Sequence, residues 1–169
     1  MAIKESILPE FDHEMKTTRK LLERVPEQDA GWKPHEKSMS LGHLAVHLAQ
    51  IPMWGSMTMG QTELDMSPPG GRPYKTPEFE STAAVLAAFD EHVRQSREAI
   101  AGAASDQEFM VPWTLKNGGQ TIFTLPRVAT LRSFVINHVI HHRGQLSVYL
   151  RLRNVPVPSI YGPSADEAA

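Results

Sequence analysis

"FVINHVIHHRGQLSVYL", Phe134 to Leu150, sets three imidazoles into a stretch that otherwise has the pattern of a buried helix. The series Val128, Leu131, Val135, His138, His142, Leu146, Tyr149 advances in steps of three and four, the spacing of a core-facing helical seam. His138 and His142 stand one turn apart on that seam, so both rings can reach one point. His141 is turned about 100° away, toward another helix or water. Far upstream, Ser40, Leu44, His47, Ile51 and Trp54 repeat the spacing and put His47 on the apolar seam of a second helix.

Burying an imidazole without a partner costs about 1–3 kcal/mol. One such histidine is easily satisfied by a backbone acceptor. Three on two helices are better explained by a shared partner, and a divalent metal is the natural one. Three nitrogens at about 2.0–2.1 Å leave part of the coordination shell open, the catalytic pattern. Binding worth roughly 10 kcal/mol outweighs the desolvation. A single HxxxH pair is weak support, because most such pairs are surface or ordinary core histidines; the third seam histidine tips the balance. His43 forms a second HxxxH pair with His47 but shares its other face with Val46, Gln50 and Met53. It is a fourth or outer-sphere ligand, or a capping and packing histidine of the first turn. His13, His35 and His92 have no matching partner and are read as surface or loop residues. Glu10 to His13 spells one ExxH, which carboxylate-bridged di-iron bundles use twice, and no second copy exists. Gln145, one turn beyond His142 and His141, is placed to orient a ligand ring. Trp54, two turns from His47, is a pocket wall or a core tryptophan. Arg143 is an anion-binding residue for the substrate or, the commoner case for a charge facing away from the seam, a solvated side chain.

The rest of the chain supplies helices around these two. Leu8, Phe11, Met15, Thr18 and Leu22 predict a first helix over Ser6 to Val25, stopped by Pro26. Ser40 caps a second helix, Leu41 to about Met59, which Pro52 interrupts and kinks. Gln61 to Glu80, rich in proline and glycine, is a long loop able to act as a lid. Thr82 to Ala104 is a third helix. Asn117-Gly118-Gly119 between alternating apolar residues marks a β-hairpin. The fourth helix starts near Thr124 as cap, with Pro126 in its first turn, and ends at Asn154. The tail, VPSIYGPSADEAA, is a coil packing Ile160 and Tyr161 on the body. The expected fold is all-α, a four-helix bundle with a small β-hairpin before the last helix, in a single domain over residues 1–169.

Composition narrows the function. The 169 residues are 41% hydrophobic and 21% charged, with net charge −2 and signs interspersed, so no footprint for nucleic acid or anionic lipid exists. The absence of cysteine rules out thiolate ligands, so any thiol chemistry uses an external thiol. The N-terminal residues lack an apolar signal core and no stretch approaches a membrane span, which predicts a cytoplasmic protein. Nucleophile-elbow, phosphate-loop and dinucleotide motifs are absent.

"WKPHEKSMSLGHLAVHLAQ", Trp32 to Gln50, and "NHVIHHRGQLSVYLRLRNVPVPSIYGPS", Asn137 to Ser164, resemble the DinB (damage-inducible) family, within the DinB/YfiT-like metalloenzymes. Helix order and the hairpin before the last helix agree, so the resemblance spans nearly the whole chain. It implies up-down-down-up connectivity, frequent dimers, and one divalent metal (zinc, nickel, iron or manganese) on three histidines. Those fall on His47, followed by Leu-Ala as the family pattern expects, and on His138 and His142. His43 has no counterpart, and His141 matches a histidine the family does not use as a main ligand. Relatives use low-molecular-weight thiols as cosubstrates in S-transfer or isomerisation. The expectation is therefore a homodimeric, metal-dependent, S-transferase-like enzyme acting on a small electrophile. A metal-held water or thiol would be the nucleophile, with no protein base assigned. The alternatives are a metal-dependent hydrolase and a non-catalytic, metal-stabilised binding protein.

Overall fold

The computed structural model describes residues 2–167; Met1 and the last two residues of the expected coil tail, Ala168 and Ala169, lie outside the described residues. The protein is mostly helical with a small three-stranded sheet. Helix α1 spans Ile3–Leu22, three residues earlier at each end than the periodicity suggested, and carries Pro9 within it. The Glu5 carboxylate accepts the Ala2 N–H at 3.1 Å, which satisfies the early start.

The second predicted helix is two. Helix α2, Leu41–Gln50, opens on Ser40, whose hydroxyl accepts the His43 N–H at 3.2 Å. Helix α3, Met53–Gly60, follows after Pro52. Proline has no N–H to continue the ladder, so the hydrogen-bond ladder parts there, although Ile51 and Pro52 keep right-handed helical dihedrals. The buried hydroxyl of Ser96 repairs the break, donating to the Pro52 carbonyl and accepting the Ser56 N–H at 2.8 Å. Gly55 makes this approach possible, since a Cβ there would meet the Ser96 Oγ at 2.8 Å.

The loop after α3 contains strand β1, Glu63–Asp65, which the sequence reading missed. It pairs in parallel with β2, Pro112–Asn117, and β2 pairs antiparallel with β3, Gln120–Pro126. The turn is at Gly118-Gly119, with φ of 61° and 79°. Both positive values are those of the hairpin turn that glycine favours. Asp65 stitches the loop to this turn: its carboxylate accepts the N–H groups of Ser67, Gly118 and Gly119 at 2.7–3.0 Å.

Helix α4, Thr82–Ala101, is capped by Ser81 and ends three residues short of expectation. A short helix α5, Asp106–Met110, was not foreseen. Strand β3 runs on to Pro126, so Thr124 is a strand residue, 2.9 Å from the Thr114 hydroxyl, and not a helix cap. The long C-terminal helix begins as α6, Arg127–Thr130, passes through a π-helical segment at Leu131–Ile136, and continues as α7, Asn137–Leu152. Asn154 closes it with a left-handed φ of 57°.

Helix α1 lies against α4 and α7, α2 against α4 and α7, and α3 against α4. Phe11, Leu44, Leu48, Phe89, Val139 and Leu146 are buried between them. The α2–α3 segment runs opposite to the C-terminal helix. Tyr149 donates to the Met39 carbonyl, His47 meets His138 and His142, and Trp54 meets Phe134.

Candidate metal centre

Helix α2 brings His47, and α7 brings His138 and His142, to one place. One ring nitrogen from each lies within 4.8 Å of the other two. His47 Nε2 and His138 Nε2 are 3.3 Å apart, and the ring centroids are 4.6–5.1 Å apart. Nitrogens held at about 2.1 Å by a tetrahedral ion stand about 3.4 Å from one another. The first pair is thus already at ligand spacing. Among the described residues, no carboxylate joins the cluster.

The outer contacts decide which nitrogen faces inward. His142 Nδ1 donates to Gln145 Oε1 at 2.7 Å, and the Gln145 amide NH2 donates to His141 Nε2 at 3.3 Å. That leaves the His142 Nε2 lone pair free. The His138 Nε2 faces His47 Nε2 at 3.3 Å. The His142 ring is therefore held in the tautomer that presents Nε2, the arrangement that outer hydrogen bonds give to metal-ligating imidazoles. The donor set fits a divalent ion of the zinc, nickel or iron type.

Protonation agrees with this. Burial, followed by the neighbouring His142, His138 and His43, pushes His47 down to about 4. Burial also takes His138 to about 4, with His142 adding to the effect and the Phe134 carbonyl opposing it. Burial lowers His142 against the raising contact with Gln145. All three rings are neutral at pH 7. An unfolded imidazole titrates near 6.5, so between pH 6.5 and 4 the unfolded chain binds more protons than the folded one. The metal-free protein is therefore expected to have constant stability above pH 6.5 and to lose it steadily as pH falls toward 4. Urea melts at pH 7.5, 6 and 5 test this, and equal midpoints at 7.5 and 5 would contradict it.

The remaining sequence-picked residues fall around the cluster. His43 is exposed, one turn from His47, and does not join the three. His141 is exposed and touches only the rim through Gln145. Trp54 is 5% exposed and reaches the centre through Phe134, at ring distances of 5.1 Å to Phe134 and from there 5.8 Å to His138. His92 is half-buried rather than a surface residue, with Nδ1 2.8 Å from the Ala49 carbonyl oxygen. Glu10 of the ExxH element pairs with Arg132, and His13 stacks on Tyr161.

Arg143 is a correction. It is 1% exposed, not solvated, and its guanidinium lies 2.7 Å from the Glu14 carboxylate of α1. It also donates to the Glu14 carbonyl at 3.1 Å and to the Tyr161 hydroxyl at 2.7 Å, and that hydroxyl donates to Glu14 Oε2 at 3.0 Å. Phe134, directly against His138, and Tyr74, which packs on Trp54, were missed. Only the position of Phe134, four residues before His138, could have signalled it.

Fold and site together define a mostly helical protein with a three-histidine cluster suited to one metal ion. The DinB family profile matches residues 1–169, and the chain belongs to the DinB family. It is 29% identical over 162 residues to the uncharacterized protein YrdA of Bacillus subtilis (strain 168), covering 96% of this chain and 90% of that one. Two solved structures share the fold. A DinB-like protein from Bacillus cereus ATCC 10987 superposes with a TM-score of 0.70 at 21% identity, covering 93% of this chain and 97% of that one. The DinB-like protein YjoA from Bacillus subtilis gives 0.69 at 18% identity, covering 94% and 99%.

Proposed function

We propose that this chain is a metal-dependent enzyme that joins a low-molecular-weight thiol to a small electrophile. The observation that carries the reading is the convergence of three neutral imidazoles, one of them oriented by an outer hydrogen bond, at a partly exposed position. His47, His138 and His142 would hold the ion, and Gln145 keeps the His142 ring aimed. A divalent ion bound there supplies the Lewis acidity that makes a thiol or water nucleophilic at neutral pH. In the transfer, sulfur forms a C–S bond to the electrophilic carbon, the leaving group departs with its electron pair, and the thiol proton passes to water. The cluster offers no carboxylate to take that proton.

The helix contacts support a four-helix, up-down-down-up bundle, with α2 and α3 together as the second member, in one domain over residues 1–169. The exposed apolar side chains Val148 and Leu152 on α7 favour a homodimer. Among the described residues no helix is long and apolar enough to cross a membrane, and the chain has no cysteine; both suit a cytoplasmic enzyme with a reduced thiol cosubstrate.

Tag-free protein reconstituted with cobalt tests the reading. One ion per chain should bind, and a small thiol should produce a sulfur-to-cobalt charge-transfer band. Hydrolysis of activated esters with no thiol response would favour the hydrolase instead. Metal bound with no response to any added ligand would leave a metal-stabilised binding protein.

A further inference from the structure

The centre has two unlike ends. Because α2–α3 and the C-terminal helix run in opposite directions, the residues after His142 and before His47 share one end. There His141, Gln145 and His43 are all exposed. At the other end, before His138 and after His47, stand Phe134 and Trp54. Phe134 is a hub: its ring lies 5.1 Å from Trp54, 5.7 Å from Phe123, 6.3 Å from Trp113 and 5.8 Å from His138. Tyr74, from the loop after β1, adds a further ring on Trp54 at 5.5 Å.

Five of the twelve aromatic side chains (3 Trp, 3 Tyr and 6 Phe) gather at this end of the centre, from five separate segments. Trp113 and Trp54 are core residues, but core filling alone does not account for the other three. Phe11, Phe89 and Phe109 in the core are at most 1% exposed, whereas Phe134, Phe123 and Tyr74 all keep solvent-reached surface. Phe134 also sits in the π-helical turn directly before the two-histidine helix. Such turns add a residue to the helix and concentrate at functional sites. A ring fixed by four neighbours, partly open and next to a candidate coordination position, is a preformed apolar wall.

We infer that the electrophile carries a planar aromatic or conjugated group, which stacks at the Phe134–Trp54 end while its reacting carbon faces the three histidines. The polar body of the cosubstrate lies at the opposite end, over His43, His141 and Gln145. Aromatic rings gain from such edge and face contacts beyond the area they bury, which a saturated ring of equal size does not. The inference rests on the three histidines being a metal centre with an open position.

Cobalt-loaded protein titrated with three hydroxamates separates the two readings. Acetohydroxamate reports the open position alone, benzohydroxamate adds a flat ring, and cyclohexanecarbohydroxamate adds the same bulk without aromaticity. Benzohydroxamate should bind about fivefold more tightly than the cyclohexyl compound. In Phe134→Leu that preference should fall to about one, with cobalt stoichiometry and acetohydroxamate affinity unchanged within about twofold, since the wall and not the centre has been altered. Equal binding of the two rings by the unaltered protein overturns the inference, as does a preference that survives Phe134→Leu. If cobalt binds but acetohydroxamate leaves its spectrum unmoved, the open position is absent and both readings fall.

Discussion

If the three histidines hold an ion as proposed, His138→Ala is expected to abolish tight metal binding while leaving the fold intact. The ring packs against both His47 and His142 and presents Nε2 to the first of them at 3.3 Å. Its loss leaves two nitrogens, too few to outcompete water for a divalent ion. The effect should far exceed the roughly 10- to 100-fold loss expected on removing an outer hydrogen-bond partner, which is the outcome for Gln145→Ala. Folding is not at risk, because alanine removes a half-buried polar group whose burial already disfavours its charged form. The measurement is thermal stability with and without metal. At 100 times its Kd a bound ion adds about 2.7 kcal/mol, worth about 5–10 °C in a chain of this length. The unaltered protein should show that gain, and His138→Ala none, from a metal-free Tm equal to or above that of the parent. An undiminished gain in the variant would remove His138 from the ligand set.

Glu14→Ala should cost about 3–5 kcal/mol, the largest stability loss available outside the apolar core. The Arg143–Glu14 pair is buried on both sides, and alanine strands the guanidinium with only the Glu14 carbonyl, Thr18 and the Tyr161 hydroxyl around it. That loss corresponds to a Tm about 10 °C lower. Replacing both charges by apolar residues of similar volume, as in Glu14→Leu with Arg143→Met, should recover most of it, because the penalty comes from the unpaired charge rather than from the missing attraction. Chemical denaturation of the three proteins decides the matter. A double variant no better than Glu14→Ala would show that the pair itself, rather than the orphaned charge, carries the stability.

Position on a seam was readable from the amino acids, but position across space was not. The three-and-four spacing around His138 and His142, and again around His47, is a local property of two helices, and the structure brings those rings together. The hairpin turn was equally local, since two adjacent glycines after asparagine leave few other conformations. What escaped depended on partners distant in the chain. Strand β1 has the polar sequence Glu-Leu-Asp and exists because β2 lies beside it. Arg143 looked solvated because it lies off the seam; its burial follows from a carboxylate 129 positions earlier. Pro52 announced a disturbance, but whether the helix would bend or part depended on Ser96 and Gly55 meeting at the break. The π turn left no mark, because the same apolar series satisfies both helical windings.

The carboxylate of Asp65 ties the loop base to the tip of the hairpin, and Tyr74 is held in turn by its N–H on the Met66 carbonyl at 2.7 Å. Loop and hairpin are thus pinned to each other at the glycine turn, so a substitution there that displaces those N–H groups is expected to loosen the loop that carries the ring resting on Trp54.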